Sequence, residues 1–250
     1  MADEQKFPSE IVDLPSKGKC YSKDSPLRDG KIEIKYMTTK EEDILTSQNL
    51  VKKGIVLDVL FNSLILTEGI DVDDLVIGDK NAVMIASRIL AYGPEYVTEI
   101  QDPETGEQQT HTFNLTECPF KELPKDVKYE GNLFEFKLPA SKSIVKYKLI
   151  NGRDEKLIAQ ELKSMEKTGT SADMSTRLKY SIEQIDDVKD KNKIFQAVQN
   201  MLSRDSLALR TEMSRISPDI IMKQDVEIGG KTVDVDIPLT VGFFWPQTWT

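Results

Sequence analysis

The side chains that could bind a metal lie mainly in one stretch, EYVTEIQDPETGEQQTHTFNLTECPF, at residues 95–120. It holds the only histidine of the chain, His111, and the cysteine Cys118, while the second cysteine is Cys20. Tetrahedral zinc needs four soft or borderline ligands, which usually arrive in close pairs such as Cys-x-x-Cys. Here the turn residues PETGE stand where the first cysteine pair would be. The sequence therefore predicts a hairpin of zinc-ribbon shape without metal, and leaves open a residual site of Cys20, His111 and Cys118.

Two other motifs carry ligand-type residues, and each lacks a requirement of its site. GGKT, at residues 229–232, resembles the end of a phosphate-binding loop, but Asp225 stands where that loop needs its first glycine. The acidic run IDVDDLVIGD, at residues 70–79, lacks the ligand spacing of a calcium loop and indicates an acidic helix start or a solvated turn. No nucleophile-elbow sequence accompanies His111. We therefore expect no catalytic residues, no cofactor and no enzyme.

The composition limits the classes of partner. The chain of 250 residues has 33 basic and 42 acidic side chains, a formal net charge of -9, and no concentrated basic patch. A phosphate backbone repels such a chain, so we expect no nucleic-acid partner. The first 20 residues lack the basic start and apolar core of a signal peptide, and no window is apolar over the length of a bilayer. With two cysteines only, the sequence predicts a cytosolic protein without a membrane partner.

The elements that must position these residues are indicated by periodicity and turn residues. Residues 1–30 are rich in Pro, Ser, Lys and Asp, and predict an extended arm or irregular loop. Thr38 and Glu41 form a capping pattern that predicts a helix start. The further helices are predicted at Val56–Leu66, at 81–92 after Asp79, and in four segments through 154–217. Strands or hairpins are predicted at 32–36, at 96–100 with 111–115, at 133–139 with 144–150, and at 224–241 with a turn at Gly229-Gly230.

The order of these elements predicts the fold class. Strands and helices arrive in blocks and not in βαβ alternation, which indicates an α+β protein with small antiparallel β-hairpins. The hairpins are zinc-ribbon-like but metal-free, and a helical bundle is expected in the C-terminal half. We place a domain boundary near residue 150. Residues 1–150 would hold the N-terminal arm, short helices and hairpins, and residues 151–250 a helical region followed by a hairpin and an aromatic tail.

The C-terminal sequence VGFFWPQTWT places four large aromatic residues within seven positions: Phe243, Phe244, Trp245 and Trp249. Two interpretations follow from this cluster. The rings fill the core of the chain itself, or they bind a partner, because buried aromatic side chains commonly dominate the energy of interfaces. The sequence predicts that these four residues are candidate partner contacts.

Several segments resemble one known family. LPSKGKCY, GKIEIKYMTTKEEDILT, the block IDVDDLVIGDKNAVMIASRILAYGPEY and VDIPLTVGFFWP occur in this order, within residues 14–96 and 233–246. They are similar to the baseplate hub and hub-assembly proteins of T-even-like contractile-tailed bacteriophages. Some members of that family carry Cys-x-x-Cys pairs in their glycine hairpins, where this chain has QDPETGE and DVEIGGK. The resemblance implies a non-enzymatic part in tail assembly, and it offers no catalytic residues to transfer.

The resemblance implies a subunit or assembly factor of the baseplate hub that acts by protein–protein contact. Its partners would be other hub proteins or the tape-measure protein, and self-association stays open. It would be found in the host cytoplasm during assembly, with its presence in the virion baseplate also open. The alternative is a cytosolic chaperone of the tape-measure protein that is absent from the mature virion. A third interpretation, a metal-dependent nucleic-acid-binding ribbon protein, is disfavoured by the acidic charge and the missing cysteines.

Overall fold

A computed structural model describes residues 7–102, 105–166, 172–228, 230–239 and 241–244. Within them the chain forms eight α-helices and nine strands in four small antiparallel sheets, which confirms the predicted α+β class. The strands are β1 (Ser9–Asp13), β2 (Lys31–Lys35), β3 (Glu95–Gln101), β4 (Gln108–Asn114), β5 (Phe134–Lys137), β6 (Ile144–Tyr147), β7 (Ile182–Ile185), β8 (Lys223–Ile228) and β9 (Lys231–Asp236). The helices are α1 (Thr39–Thr46), α2 (Gln48–Lys53), α3 (Val56–Leu64), α4 (Ile77–Tyr92), α5 (Gly152–Glu166), α6 (Asp173–Ser181), α7 (Lys191–Gln199) and α8 (Ser203–Ile216).

Hairpin pairing accounts for most of the sheet structure. The pairs β1–β2, β3–β4 and β8–β9 each form a two-stranded sheet, and β5, β6 and β7 form a three-stranded one. The predicted hairpins are therefore present, with Thr98 opposite His111 in β3–β4. Gly106 and Gly230 have positive φ angles of 75° and 79° at the turns, a conformation that glycine adopts without steric cost. Gly229, the other residue of the predicted turn, lies outside the described residues.

Of the two predicted alternatives for the N-terminal segment, the described residues are not an extended arm, and apart from one strand they form an irregular loop. Ser9–Asp13 is a strand, and the loop between β1 and β2 folds back on itself and buries Leu14 and Leu27 at 1% exposure each. The close approach needs glycine, since a Cβ on Gly18 would lie 2.0 Å from the carbonyl oxygen of Arg28. Its polar composition therefore reflects a tight turn and not a solvated arm.

The predicted helical stretch is interrupted by a strand. Helices α5 to α8 occupy the predicted segments, but Ile182–Ile185, expected as the end of a helix, is β7. Its Ile182 lies opposite Tyr147 of β6, in a register that shifts between Lys146 and Tyr147. The β-branched residues favour a strand once a distant edge is available for pairing, and local helical periodicity cannot report that edge.

One hydrophobic core includes buried residues from Leu14 to Phe244. Contacts also cross the predicted boundary near residue 150, such as the hydrogen bond of 2.8 Å from the Tyr129 hydroxyl to the carbonyl oxygen of Ile216. The division of the chain at that position stays a prediction. Among the described helices, none is both long enough and apolar enough to cross a bilayer.

The capping pattern predicted at Thr38 is present and fixes the start of α1. The main-chain N–H of Thr38 donates to Glu41 Oε2 at 3.0 Å, and Lys35 Nζ donates to Glu41 Oε1 at 2.8 Å. Burial opposes ionisation of Glu41, but these hydrogen bonds outweigh it and hold the pKa of that carboxyl below its ordinary value. The first helix is thereby attached to β2, and α1 forms one wall of the surface described next.

Candidate docking surface

An apolar groove of about 770 Å³ lies between the first four helices and the C-terminal segment. Its polar lining is limited to Thr46, Gln48 and Lys52. The apolar lining comes from Leu45, Val51, Val56, Leu57, Met84, Leu239, Phe243 and Phe244. Val51 and Leu239 are 50% and 48% exposed, so the groove opens to solvent with large apolar side chains.

Aromatic contacts fix the C-terminal side of the groove. The ring centroids of Phe243 and Tyr96 are 5.1 Å apart in an edge-to-face arrangement, and those of Phe243 and Phe244 are 5.2 Å apart. Phe244 also contacts Phe61 of α3, at 5.9 Å between centroids. Phe243 and Phe244 are 3% and 2% exposed. They form a preorganised apolar surface, because their contacts inside the fold hold each ring in one orientation.

A buried cation holds the backbone of the same segment. Arg88 of α4 is 4% exposed, and its Nε, Nη1 and Nη2 donate to the main-chain oxygens of Phe243, Gly93 and Glu95 at 2.7, 3.0 and 3.1 Å. Burial lowers the pKa of Arg88, although a guanidinium still remains charged at neutral pH. The Tyr96 hydroxyl adds a hydrogen bond of 3.0 Å to the carbonyl oxygen of Pro238. These bonds attach the C-terminal segment to α4 and β3.

The predicted partner residues divide between the described and undescribed parts of the chain. Phe243 and Phe244 line the groove while being mostly buried in the fold. Trp245 and Trp249 lie outside the described residues. A partner contact through these four positions stays a prediction. Arg88 was not predicted from the sequence, where the signal for it is a single charged residue in the otherwise uncharged run 82–92 of α4.

The LPSKGKCY motif has a structural explanation. Asp79 of α4 is fully buried, and its Oδ1 accepts the main-chain N–H of Ser16 at 2.9 Å. Its Oδ2 accepts the hydroxyl of Tyr21 at 2.6 Å, and the Tyr21 oxygen accepts the N–H of Val76 at 3.2 Å. Burial raises the pKa of Asp79, against the opposing effect of the hydrogen bonds from Ser16 and Tyr21. Asp79 therefore attaches the N-terminal turn to α4. The sequence predicted Asp79 only as the residue that opens this helix, but it lies within the first turn of α4.

The residues of the possible zinc site lie in different environments. Cys20 is 3% exposed in the core, where burial and then the charge of Asp79 raise the pKa of its thiol to about 12. Cys118 is half-buried and its Sγ accepts Gln224 Nε2 at 3.6 Å, while the His111 ring contacts Phe113 at 4.6 Å between centroids. Metal binding requires the thiolate, which a raised pKa disfavours. No group of three potential metal ligands occurs in the part of the chain that the structure describes.

The acidic run 70–79 takes part in ion pairs. Asp58 of α3 lies 2.6 Å from Lys80 Nζ and 3.0 Å from Lys156 Nζ. Lys156 also pairs with Asp73. Of the two predicted alternatives, an acidic helix start and a solvated turn, the run forms the first: Asp71 caps a short 3-10 helix, Val72–Asp74, that joins this network. The lysine ammonium groups compensate the charge of these carboxylates, and the network connects α3, α4 and α5.

The model of one family, described as T4 bacteriophage base plate protein, matches residues 8–240. No curated protein and no solved structure is significantly similar to the chain. The matched range begins before β1 and includes every described α-helix, together with most of the residues that line the groove.

Proposed function

This chain belongs to the family of T4 bacteriophage base plate proteins, and we propose that it is a subunit or assembly factor of the baseplate hub. The observation that carries the proposal is the family match over residues 8–240. Members of this family are structural and usually non-enzymatic, and we extend that to this chain. In the proposal its work is protein–protein contact with other hub proteins or the tape-measure protein, first in the host cytoplasm and then in the tail baseplate.

The apolar groove supports a role in protein–protein contact. Monomeric proteins rarely expose contiguous apolar surface without a use for it, and a partner that buries such a surface gains from the hydrophobic effect. The exposed side chains of Val51 and Leu239 lie beside the fixed rings of Phe243 and Phe244. The proposed occupant is an apolar segment of another tail protein, inserted between α1–α3 and the C-terminal segment. Because the walls are already rigid, binding such a segment costs less conformational entropy of the side chains.

The second candidate is a chaperone that shields the tape-measure protein and leaves before the tail is complete. The same groove suits this function, because a chaperone also needs open apolar surface for its client. The two candidates differ in the fate of the protein. A hub subunit remains in purified tails, whereas the chaperone is abundant in infected cells and missing from tails.

Charged substitutions in the groove test the docking surface. Val51→Asp and Leu239→Asp place a carboxylate at half-exposed positions of the groove, where a bound apolar segment would desolvate it. The matched control is Leu133→Asp, which is 55% exposed and does not line the groove. Each protein is co-expressed with the other hub and tape-measure proteins of the phage, and the complexes are purified.

We expect both groove variants to melt like the wild type and to lose co-purification by roughly tenfold or more, a change of about 1.4 kcal/mol in binding. The control variant keeps its partners. If both groove variants retain their partners as well as the control does, the groove is not the docking surface.

A further inference from the structure

A second recess lies between α6 and α8. It consists of a cavity of about 280 Å³ and an adjoining groove of about 630 Å³, which share Asp173, Met174, Leu178 and Arg210. Ile150 and Met213 complete the apolar side of the cavity. Methionine side chains have three rotatable bonds and a polarizable sulfur, so these walls can adapt to a bound side chain.

Two polar atoms at the cavity have no partner within the fold. Arg210 Nε and Ser181 Oγ are both inaccessible to solvent and form no hydrogen bond with any described residue. Ser181 is completely buried, and both residues line the cavity. Buried donors without acceptors are costly and rare in folded proteins, so an acceptor supplied from outside would remove that cost.

Arg210 differs from two neighbouring arginines, Arg177 and Arg215, because both of those form ion pairs within the fold. Arg177, which lines the same cavity, contacts Glu155 at 2.8 Å and Asp173 at 3.2 Å. Arg215, on the same helix as Arg210, pairs with Glu212 and Asp126. Arg210 forms no ion pair within the described part of the chain, although the protein has a net charge of -9. Its charge is therefore available to an acidic partner.

We infer that this recess binds a segment of another protein in which an acidic residue neighbours an apolar one. The carboxylate accepts hydrogen bonds from Arg210, whose planar guanidinium matches a carboxylate in geometry. The apolar side chain enters between Met174 and Leu178. Leu202 and Leu207, which are 56% and 58% exposed, directly neighbour in sequence Ser203 and Ser206 of the adjoining groove. A single carboxylate fits better than a phosphate, because Asp173 and the apolar walls disfavour a dianion. That this other protein is a tail protein rests on the proposed function, whereas the chemistry of the recess does not.

Side-chain nuclear magnetic resonance of the full-length protein tests the inference directly. The probes are N-acetyl-leucyl-glutamate amide, its glutamine counterpart and inorganic phosphate, each titrated to its solubility limit. We expect the glutamate probe to shift the Arg210 Nε–H signal and the methyl signals of Met174 and Met213. The glutamine probe should bind roughly tenfold more weakly, since a charged acceptor makes the stronger bond.

Arg210→Met should remove the preference for glutamate, and Arg210→Lys should keep part of it because the positive charge remains. Arg204→Met, at an exposed position of the same helix, should behave like the wild type. Equal responses to the two dipeptides, shifts confined to other parts of the protein, or a response to phosphate alone would overturn the inference.

Tail assembly then separates this inference from the proposed function. Phage carrying Arg210→Met is compared with phage carrying Arg204→Met, and the protein is quantified in purified tails. If the protein with Arg204→Met is incorporated and the protein with Arg210→Met is depleted, both proposals hold. Equal incorporation of the two variants removes the recess as a docking site in the tail and leaves the hub function standing. Absence of both variants and of the wild type from tails contradicts the hub function. The dipeptide titration then still decides whether the recess binds an acidic segment.

Discussion

Arg88 Nε donates a hydrogen bond of 2.7 Å to the main-chain oxygen of Phe243, 155 residues further along the chain. The donor lies on α4, and the acceptor lies at the C-terminal side of the apolar groove. The Arg88 guanidinium is also 5.2 Å from the centroid of the Tyr92 ring and 6.0 Å from that of Phe243. One buried side chain thus helps to hold the main chain of the segment whose rings line the groove.

Replacing Arg88 should therefore destabilise the protein. Arg88→Met keeps much of the aliphatic bulk but leaves the carbonyl oxygens of Phe243, Gly93 and Glu95 without their donor. We expect the free energy of unfolding to fall by roughly 3 kcal/mol, since buried unsatisfied groups are costly. Urea unfolding measures the change. Arg204→Met is the matched control at an exposed site and should change stability by no more than about 0.5 kcal/mol. Equal stability of the two variants would show that the Arg88 contacts are dispensable.

Asp79 gives a second prediction, because it joins the N-terminal turn to α4. Asp79→Ala leaves the N–H of Ser16 and the hydroxyl of Tyr21 without their acceptor in the core, which should lower the free energy of unfolding by about 2–4 kcal/mol. Asp74→Ala is the control, since its ion pair with Arg153 is largely exposed and should contribute less than about 1 kcal/mol. Thermal and urea unfolding measure the loss of stability in both variants. Similar losses in the free energy of unfolding would refute the role of Asp79.

The ion pairs of Asp58 predict how its contribution depends on pH. Burial opposes ionisation of Asp58, but hydrogen bonds from Lys80 and Lys156 outweigh it, and the pKa of Asp58 lies below its ordinary value of 3.8. The unfolded chain therefore binds the proton more readily than the folded one. The stabilisation is complete above the ordinary pKa and is lost as the pH falls through the lower folded pKa.

We expect wild type to be more stable than Asp58→Asn at neutral pH, and the difference to shrink as the pH falls below about 4. Urea unfolding of both proteins across this range measures the difference. The raised pKa of Asp79 acts in the opposite direction, but it is common to both proteins and cancels. A difference that is independent of pH would contradict the assignment to the Asp58 ion pairs.

Local sequence patterns predicted much of this fold but few of its long-range contacts. Alternating apolar residues and turn glycines identified the hairpins, and the Thr38–Glu41 pattern identified the start of α1. The roles of Arg88 and Asp79 escaped prediction, because their partners lie 155 and 58 to 63 residues away in sequence. Strand β7 escaped it for the same reason, since its pairing with β6 overrides a helical pattern.

The groove itself could be anticipated only in part. The aromatic composition of the C-terminus drew attention to Phe243 and Phe244, which do line it. The other walls come from α1, α2, α3 and α4, and no pattern within one element shows that these faces meet around an open space. Which apolar positions are left uncovered depends on the tertiary arrangement, and that information is spread over the whole chain.

The two tryptophans of the chain provide a further prediction. We expect Trp245→Ala to lower the free energy of unfolding by roughly 3–5 kcal/mol, as for a large aromatic residue removed from a core. Trp249→Ala should keep the stability of the wild type and lose co-purification with hub components, because a contact residue can contribute about 2 kcal/mol or more to binding. Melting temperature and co-purification are measured for each variant. Unchanged values of both quantities in both variants would exclude this segment from folding and from docking.

Mass spectrometry of purified tails, beside a lysate of the infected cells, tests the proposed hub function most directly. We expect the protein to be present in purified tails, in a constant ratio to the other baseplate proteins across preparations. Abundance in the lysate together with absence from the tails would contradict a hub subunit and favour the chaperone of the tape-measure protein.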